Sequence, residues 1–334
     1  MSTYLLSKNN EKLPLVSIIT PSYNRAWIIQ RCIDCIRGQT YPNIEHIVVD
    51  GGSTDETLEI LKKNQSSYNL RWISEKDNGM YDAINKGIKL ATGKIVAYLN
   101  TDDFYFPYTV ELAVQKFLQD ETISLVYGDW VTYYQATGFL EILPFLTYTK
   151  YDMARFGVLP QPTVFIRREI FSRLGYFGTN YKLLADNEFF TRVFVADVHV
   201  EKINEFLAGQ VVHEGNLLAG NSDATRLALL ESDQFHDFYQ AQLMESPQGK
   251  NVFHQLYALV RSKTYRFIWR LRLLEFYIYW KLGYSNKWIQ FRRVLPNQSI
   301  QPTKLLRYLI VQERELVSYC IIPNFLDTLF AHFK

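Results

Sequence analysis

Ile95-Val96-Ala97-Tyr98-Leu99-Asn100-Thr101-Asp102-Asp103 decides the fold. Its apolar half has the length and composition of a buried strand, and its end delivers two adjacent carboxylates to that strand's carboxyl end. Open α/β sheets bind ligands outside the carboxyl ends of their strands. Mg²⁺ and Mn²⁺ are commonly held there by one or two carboxylates together with phosphate oxygens. The run therefore suggests a nucleotide-phosphate site, with a solvated turn or a helix cap as the plainer use of the same acids.

Working outward, Leu15 to Thr20 reads as a short apolar strand that stops at Pro21. The helix that follows places Ile29, Cys32, Ile33 and Ile36 on one face, with Gly38 as its stop. A second strand, Ile44 to Val49, runs into Asp50-Gly51-Gly52, whose glycines let the backbone approach a ligand closely. Ser53-Thr54-Asp55-Glu56 is expected to form a capping box for the next helix. A third strand, Leu70 to Ile73, precedes Glu75-Lys76-Asp77-Asn78-Gly79, and a helix with Tyr81, Ile84 and Ile88 on one face then ends near Gly93. Strands that alternate with helices imply right-handed βαβ crossovers and an α/β, mostly parallel sheet with helices on both faces.

This stretch resembles the inverting, family-2 type glycosyltransferases of the GT-A fold. The resemblance rests on Val16-Ser17-Ile18-Ile19-Thr20-Pro21-Ser22-Tyr23-Asn24-Arg25, Gln39-Thr40-Tyr41-Pro42-Asn43, Val49-Asp50-Gly51-Gly52-Ser53-Thr54-Asp55, Gly79-Met80-Tyr81-Asp82-Ala83-Ile84-Asn85-Lys86-Gly87 and Leu99-Asn100-Thr101-Asp102-Asp103, in that order. It covers the first third of the chain, with a weaker echo to about residue 220. It implies a Rossmann-like nucleotide-diphospho-sugar transferase fold and transfer of a sugar, hexosyl or similar, from a nucleotide-sugar donor, UDP favoured, to a saccharide or lipid-linked acceptor hydroxyl. Asn100 stands where an acid often opens the Asp-x-Asp motif, which leaves direct metal ligation to Asp102 and Asp103.

The resemblance places donor binding on Thr20, Pro21, Tyr23 and Arg25 after the first strand, on Asp50 after the second, on Asp77, Asp82, Asn85 and Lys86, and on Asn100 and Asp102. Tyr23 can stack on a pyrimidine and Asp50 can accept a base N–H; ordinary packing and a turn before glycine are their simpler uses. The implied cofactor is Mn²⁺ or Mg²⁺, with Asp103 expected as the inner-sphere ligand, Asp102 shared between metal and ribose, and His213 completing the shell or reaching the diphosphate; a surface histidine is the alternative for His213. In Tyr181-Lys182-Leu183-Leu184-Ala185-Asp186-Asn187-Glu188, Asp186 looks like the general base of the family. A simple helix cap is its alternative, and Glu188 is the residue that would replace it. Leu159-Pro160-Gln161-Pro162-Thr163 echoes the family's acceptor side.

At 334 residues, 48% hydrophobic and with a net charge of +2, the chain can bury a large core. Residues 1–220 read as the catalytic domain and 221–334 as a helical extension, beginning with a polar helical connector over Asn221 to Glu245. Cys32 and Cys35 form a C-x-x-C on a helix without a second ligand pair, which favours core packing; three cysteines in all suit a reducing cytosol. Between Arg261 and Arg293 there are nine Lys or Arg against one acid, Glu275. As a helix, that segment carries one apolar stripe through Phe267, Leu271, Leu274 and Ile278 and another through Trp269, Leu273, Phe276 and Trp280. A peripheral contact with an anionic membrane fits the pattern, as does burial between neighbours or a homo-oligomer contact. No nucleic-acid-binding fold accompanies the charge. No secretory leader or run of eighteen apolar residues is visible, so the expected place of action is the inner face of the cytoplasmic membrane. The alternatives are a catalytically inactive nucleotide-sugar-binding or scaffold protein of the same fold, and a related nucleotidyltransferase, which would need a Gly-rich basic loop where Pro21-Ser22-Tyr23 stands. A dehydrogenase is disfavoured because no G-x-G-x-x-G opens a helix.

Overall fold

The computed structural model describes residues 13–134, 139–143, 145, 147–213 and 222–245. β1 (Val16–Ser22), α1 (Ile29–Arg37), β2 (Ile44–Asp50), α2 (Thr57–Asn64), β3 (Leu70–Ser74), α3 (Met80–Leu90) and β4 (Ile95–Tyr98) follow one another in the expected order. β1 pairs in parallel with both β2 and β4, and β2 with β3. The carboxyl ends of four neighbouring strands therefore lie along one edge.

Both faces of β1, β2 and β4 are covered, so these strands are buried almost throughout and rich in Val and Ile, whereas β3 at the edge is half exposed. Alternating side chains feed opposite cores: Ile18 and Ala97 pack with Cys32, Cys35 and Ile36 of α1, whereas Ile19 and Val96 pack with Tyr81, Ile84 and Ile88 of α3. Cys32 and Cys35 are buried free thiols, as core packing requires. Gly87 lets α3 settle on the central strand, since a Cβ there would stand 2.4 Å from Ile19 Cγ2.

β1 runs two residues past Thr20, its expected last residue, and so includes Pro21. Its pairing with β4 ends at Ile19 opposite Tyr98, while Pro21 still lies opposite Val49 of β2. Successive residues of a strand bond to alternate neighbours, and Ile19 and Ser22 accept from Leu99 and Gly51 respectively. The missing N–H of Pro21 thus faces the side where β4 has already ended, and no ladder bond is lost.

Beyond β4 the sheet is mixed rather than mostly parallel. Its remaining strands are β5 (Asp103–Tyr105), β6 (Ile123–Tyr134), β7 (Phe139–Leu143), β8 (Phe165–Arg167) and β9 (His199–Val212), with helices α4 (Thr109–Gln119), α5 (Lys150–Phe156), α6 (Glu169–Leu174), α7 (Ala185–Val195) and α8 (Ser222–Glu245). Strand order is β3-β2-β1-β4-β8-β6-β9-β5, with β7 on β6. β8 runs antiparallel to β4 and β6, β5 runs antiparallel to β9, and β6 and β9 are parallel. Apolar runs predict strands but not their direction once strands and helices stop alternating one for one.

The segment expected as a polar connector is instead docked. Phe235, Tyr239 and Leu243 of α8 are buried with Ala154 of α5, and Phe235 meets Tyr181 edge to face. Among the described residues no helix is long and apolar enough to cross a membrane. The basic segment 261–293 with its two apolar stripes, and Cys320, lie outside the described residues.

Candidate active site

Because β1 to β4 are parallel, Tyr23, Asp50, the loop after β3 and the Asn100 to Asp103 turn all follow carboxyl ends on one edge. Tyr23 is 57% exposed. It forms one wall with Gly51 and Asp77: a Cβ on Gly51 would come within 2.6 Å of Asp77 Oδ2 and 3.4 Å of the Tyr23 ring. Gly52 has φ +85°, a conformation that glycine adopts without strain.

Asp50 is fully buried and organises the turn from which this wall springs. Its Oδ2 accepts from the amides of Gly52 and Ser53 and from Ser74 Oγ, and Ser53 Oγ donates to Oδ1. The turn-forming use is therefore realised, and only Oδ1 retains spare acceptor capacity. The capping box over residues 53–56 does not form. Ser53 Oγ accepts from Asn24 N, while Asp55 accepts from Thr57 N and Ala26 N, so these side chains tie the β1 loop to the β2 loop. Capping chemistry is used here to hold two halves of a cleft together.

The two adjacent acids stand in different surroundings. Asp103 opens β5 and is buried, where Asn100 Nδ2 donates to its Oδ2 at 3.1 Å. Burial first, and then the neighbouring Asp102, push its carboxyl well above the usual carboxylate range, while Asn100 and Arg31 pull the other way. Asp102 is the more open of the two, and its Oδ2 lies 3.3 Å from His213 Nε2. Arg31 Nη2 donates to Asp102 O at 3.3 Å; burial lowers its guanidinium to about 10, which leaves it charged beneath the acids. Trp27, 58% exposed, packs edge-on to the His213 ring at 5.1 Å between centroids. Among the described residues no three His, Cys, Asp or Glu side chains gather as a metal cluster. Asp102 and His213 nevertheless fit a divalent cation that draws its other ligands from phosphate and water, and the oxygen and nitrogen pair suits Mn²⁺ better than Mg²⁺.

Asp186 sits in the first turn of α7 and is buried. It is not the N-cap, a position that Leu184 takes without any side-chain bond. Tyr98 of β4 donates to Asp186 Oδ2 at 3.0 Å, Tyr81 of α3 donates to Oδ1 at 3.0 Å, and Asn187 N donates to Oδ1 at 2.8 Å. Burial pushes the carboxyl above the ordinary aspartate range, and these three bonds to the ionised form pull it back. Gln161 joins the two acidic centres, donating from Nε2 to Tyr98 O at 2.8 Å and accepting from Asn100 Nδ2 at 3.4 Å. Glu188, the alternative base, is taken up by Arg192 at 2.8 Å and by the hydroxyl of Tyr239 at 2.6 Å.

Several expected donor contacts are occupied within the protein. The Thr20 hydroxyl points inward to His46 Nε2 at 2.9 Å, because its position in β1 faces the core. Asn85 spends both ends of its amide on the backbone of Phe177, accepting from its N–H and donating to its carbonyl. Lys86 bridges Glu75 at 2.8 Å and Asp82 at 3.4 Å, and Asp82 also accepts from Asn78 N, so this trio shapes the turn before α3. Each of these side chains therefore has a partner within the protein. Arg25 binds Thr57 through its amide, and its side chain has no hydrogen bond or ion pair among the described residues. The residues missed in sequence are Tyr81 and Tyr98, read as apolar positions. A tyrosine on a buried face needs a partner for its hydroxyl, and that need was the available signal.

An exposed aromatic wall, an acid beside an imidazole and a buried carboxylate, all following the ends of parallel strands, are the arrangement expected of a glycosyltransferase of GT-A architecture. Residues 17–175 match the family described as "Glycosyl transferase family 2". The chain is 34% identical over 187 residues to a PGL/p-HBAD biosynthesis glycosyltransferase of Mycobacterium bovis, spanning 54% of this chain and 70% of that protein. It is 37% identical over 118 residues to the chondroitin synthase of Escherichia coli, spanning 35% of this chain and 17% of that protein. In structure it is similar to S. aureus TarS 1-349 in complex with UDP-GlcNAc, with TM-score 0.54, 17% identity, and 70% of this chain and 67% of that one covered. The mannosyltransferase PcManGT from Pyrobaculum calidifontis, in complex with GDP-Man and Mn²⁺, aligns with TM-score 0.51 and 18% identity over 98% of this chain and 90% of that one. The chain belongs to glycosyl transferase family 2 and is a transferase.

Proposed function

We propose that the protein moves a sugar from a nucleotide diphosphate sugar, UDP favoured, to a hydroxyl of a saccharide or lipid-linked acceptor, with inversion at the transferred carbon. The observation that carries this reading is Asp186, a buried carboxylate held by two tyrosine hydroxyls at the edge where the strand ends gather. Inversion by single displacement needs one carboxylate, which takes the acceptor proton as its oxygen attacks opposite the diphosphate. The raised affinity of Asp186 for a proton suits it to that step, and Tyr81 and Tyr98 fix both of its oxygens so that little reorganisation accompanies it.

On the donor side, the exposed Tyr23 ring offers a stacking surface for the base, and Asp77 beside it offers an acceptor for a base or ribose donor. Asp102 and His213 would hold Mn²⁺ or Mg²⁺, which when bound neutralises charge on the departing diphosphate. Arg25, whose guanidinium has no hydrogen bond or ion pair among the described residues, is a candidate partner for the donor's phosphates. The complexes of TarS with UDP-GlcNAc and of PcManGT with GDP-Man and Mn²⁺ support a nucleotide-sugar donor on this architecture. The name of the chondroitin synthase supports a saccharide acceptor, and the lipid-linked alternative rests on the family resemblance. Action at the inner membrane face through residues 261–293 rests on the sequence pattern.

A thermal-shift panel of UDP, GDP and their sugars, with and without Mn²⁺, tests the reading. At a hundred times its dissociation constant the right nucleotide adds about 2.7 kcal/mol of stability, and the shift should need Mn²⁺. No shift with any member of the panel contradicts it.

A further inference from the structure

Helix α8 reaches the base-bearing turn with a carboxylate of its own. Glu231 is buried, and it accepts hydrogen bonds from three successive amides: Lys182 N to Oε1 at 2.7 Å, and Leu183 N and Leu184 N to Oε2 at 3.0 and 2.9 Å. These are the last amides before α7, whose N-cap Leu184 supplies no side-chain acceptor. Of the three, only the Leu184 amide belongs to the helix start, where N–H groups lack internal partners; the amides of Lys182 and Leu183 lie in the turn before it. Glu231 thus ties the approach to α7 from another element.

The turn is gripped from the other side as well. The single O–H of Tyr81 is shared between the Leu183 carbonyl, at 2.8 Å, and Asp186 Oδ1, at 3.0 Å, so Tyr81 links the Leu183 C=O to the carboxylate while Glu231 holds the Leu183 N–H. Further along α8, Tyr239 donates to Glu188 Oε1. That bond orients the helix whose first turn carries Asp186, and Phe235 and Tyr239 lie in the apolar contact that seats α8.

We propose that Glu231 is a positioning residue for Asp186, with Tyr239 as its second anchor, so that α8 sets where the acceptor hydroxyl finds its base. The proposal rests on the reading of Asp186 as the general base. A base must stand within hydrogen-bond reach of the proton it takes, and a displacement of about 1 Å can cost on the order of 10²-fold in rate. Three amides on one carboxylate restrain the backbone two residues before Asp186, where such a displacement would arise. A helix that served only to cover apolar surface would need no buried carboxylate.

The test uses the full chain and its Glu231→Gln, Glu231→Ala, Tyr239→Phe and Asp186→Asn variants. Nucleotide release is measured with whichever of UDP-N-acetylglucosamine, UDP-glucose and GDP-mannose the parent hydrolyses fastest, alongside the dissociation constant of the free nucleotide. The expected result is a fall in kcat of roughly tenfold for Glu231→Gln and more for Glu231→Ala, with donor KM and nucleotide affinity within about twofold of the parent. Hydrogen exchange at the amides of residues 182–184 should quicken in both. A merely structural role would lower the melting temperature and leave kcat per folded molecule in place. That result, or parent-like exchange at residues 182–184, overturns the proposal. If Glu231→Gln does not fold, Tyr239→Phe carries the test, and parent kcat in it overturns the proposal equally. Parent turnover in Asp186→Asn instead shows that the base assignment has failed, which separates the two outcomes.

Discussion

Replacing Tyr98 by Phe removes one hydroxyl and keeps the ring, which packs edge-on to Phe177 at 5.6 Å. The lost bond ran 3.0 Å to Asp186 Oδ2, and the two bonds to Oδ1 from Tyr81 and Asn187 remain. A hydrogen bond to a charged group contributes about 1.5–3 kcal/mol, and one pKa unit corresponds to about 1.4 kcal/mol. Since the bond favours the ionised carboxylate, its loss should raise the pKa of Asp186 further, on top of the rise that burial already imposes. The acid limb of the kcat against pH profile for nucleotide release should move to higher pH. Below the limb the variant is slower by about tenfold or more, and well above it the rate approaches that of the parent. Stability moves with the same sign. A carboxyl whose folded pKa is raised contributes stability that is present below its unfolded pKa and lost as pH rises through the folded value, so Tyr98→Phe should lose melting temperature against the parent as pH increases. An acid limb that stays at the parent position in a folded variant refutes the claim that Tyr98 tunes the catalytic carboxylate.

Asp102→Asn and His213→Ala should each weaken UDP binding in Mn²⁺ and have little effect with chelator present, measured by calorimetry. Asp103→Asn, at a buried carboxyl that already accepts from Asn100, should change it less. Gly87→Ala places a methyl 2.4 Å from Ile19 Cγ2, and overpacking of this kind costs about 1–3 kcal/mol. Its melting temperature should fall by several degrees while kcat at low temperature holds; a parent-like melting curve contradicts the close packing of α3 on β1.

Apolar periodicity made the first four strands and three helices legible, because a buried parallel sheet writes itself as runs of Val and Ile separated by helical faces. It failed at Pro21, where a strand survives proline because its neighbour has ended. Strand direction beyond β4 was not legible, since it depends on long-range pairing. The site was legible in its acids but not in their division of labour. Which of Asp102 and Asp103 faces His213 depends on β5 starting at Asp103, a register that adjacent identical residues cannot reveal. Asn85 and Thr20 carry motif positions whose side chains bond to Phe177 and His46, partners that a motif match alone does not show. Polarity hid the place of α8: a helix whose apolar residues are interleaved with charged ones reads as a connector, although Glu231 takes bonds from three backbone amides.

The central claim is that Asp186 takes the acceptor proton. It is tested most directly by comparing nucleotide affinity and turnover in Asp186→Asn, which keeps the side chain's shape and removes its basicity. The expected result is a nucleotide dissociation constant near that of the parent, a melting temperature at neutral pH that is no lower because a buried charge has been removed, and turnover reduced by about 10² or more. Parent-like turnover in the folded variant contradicts the account.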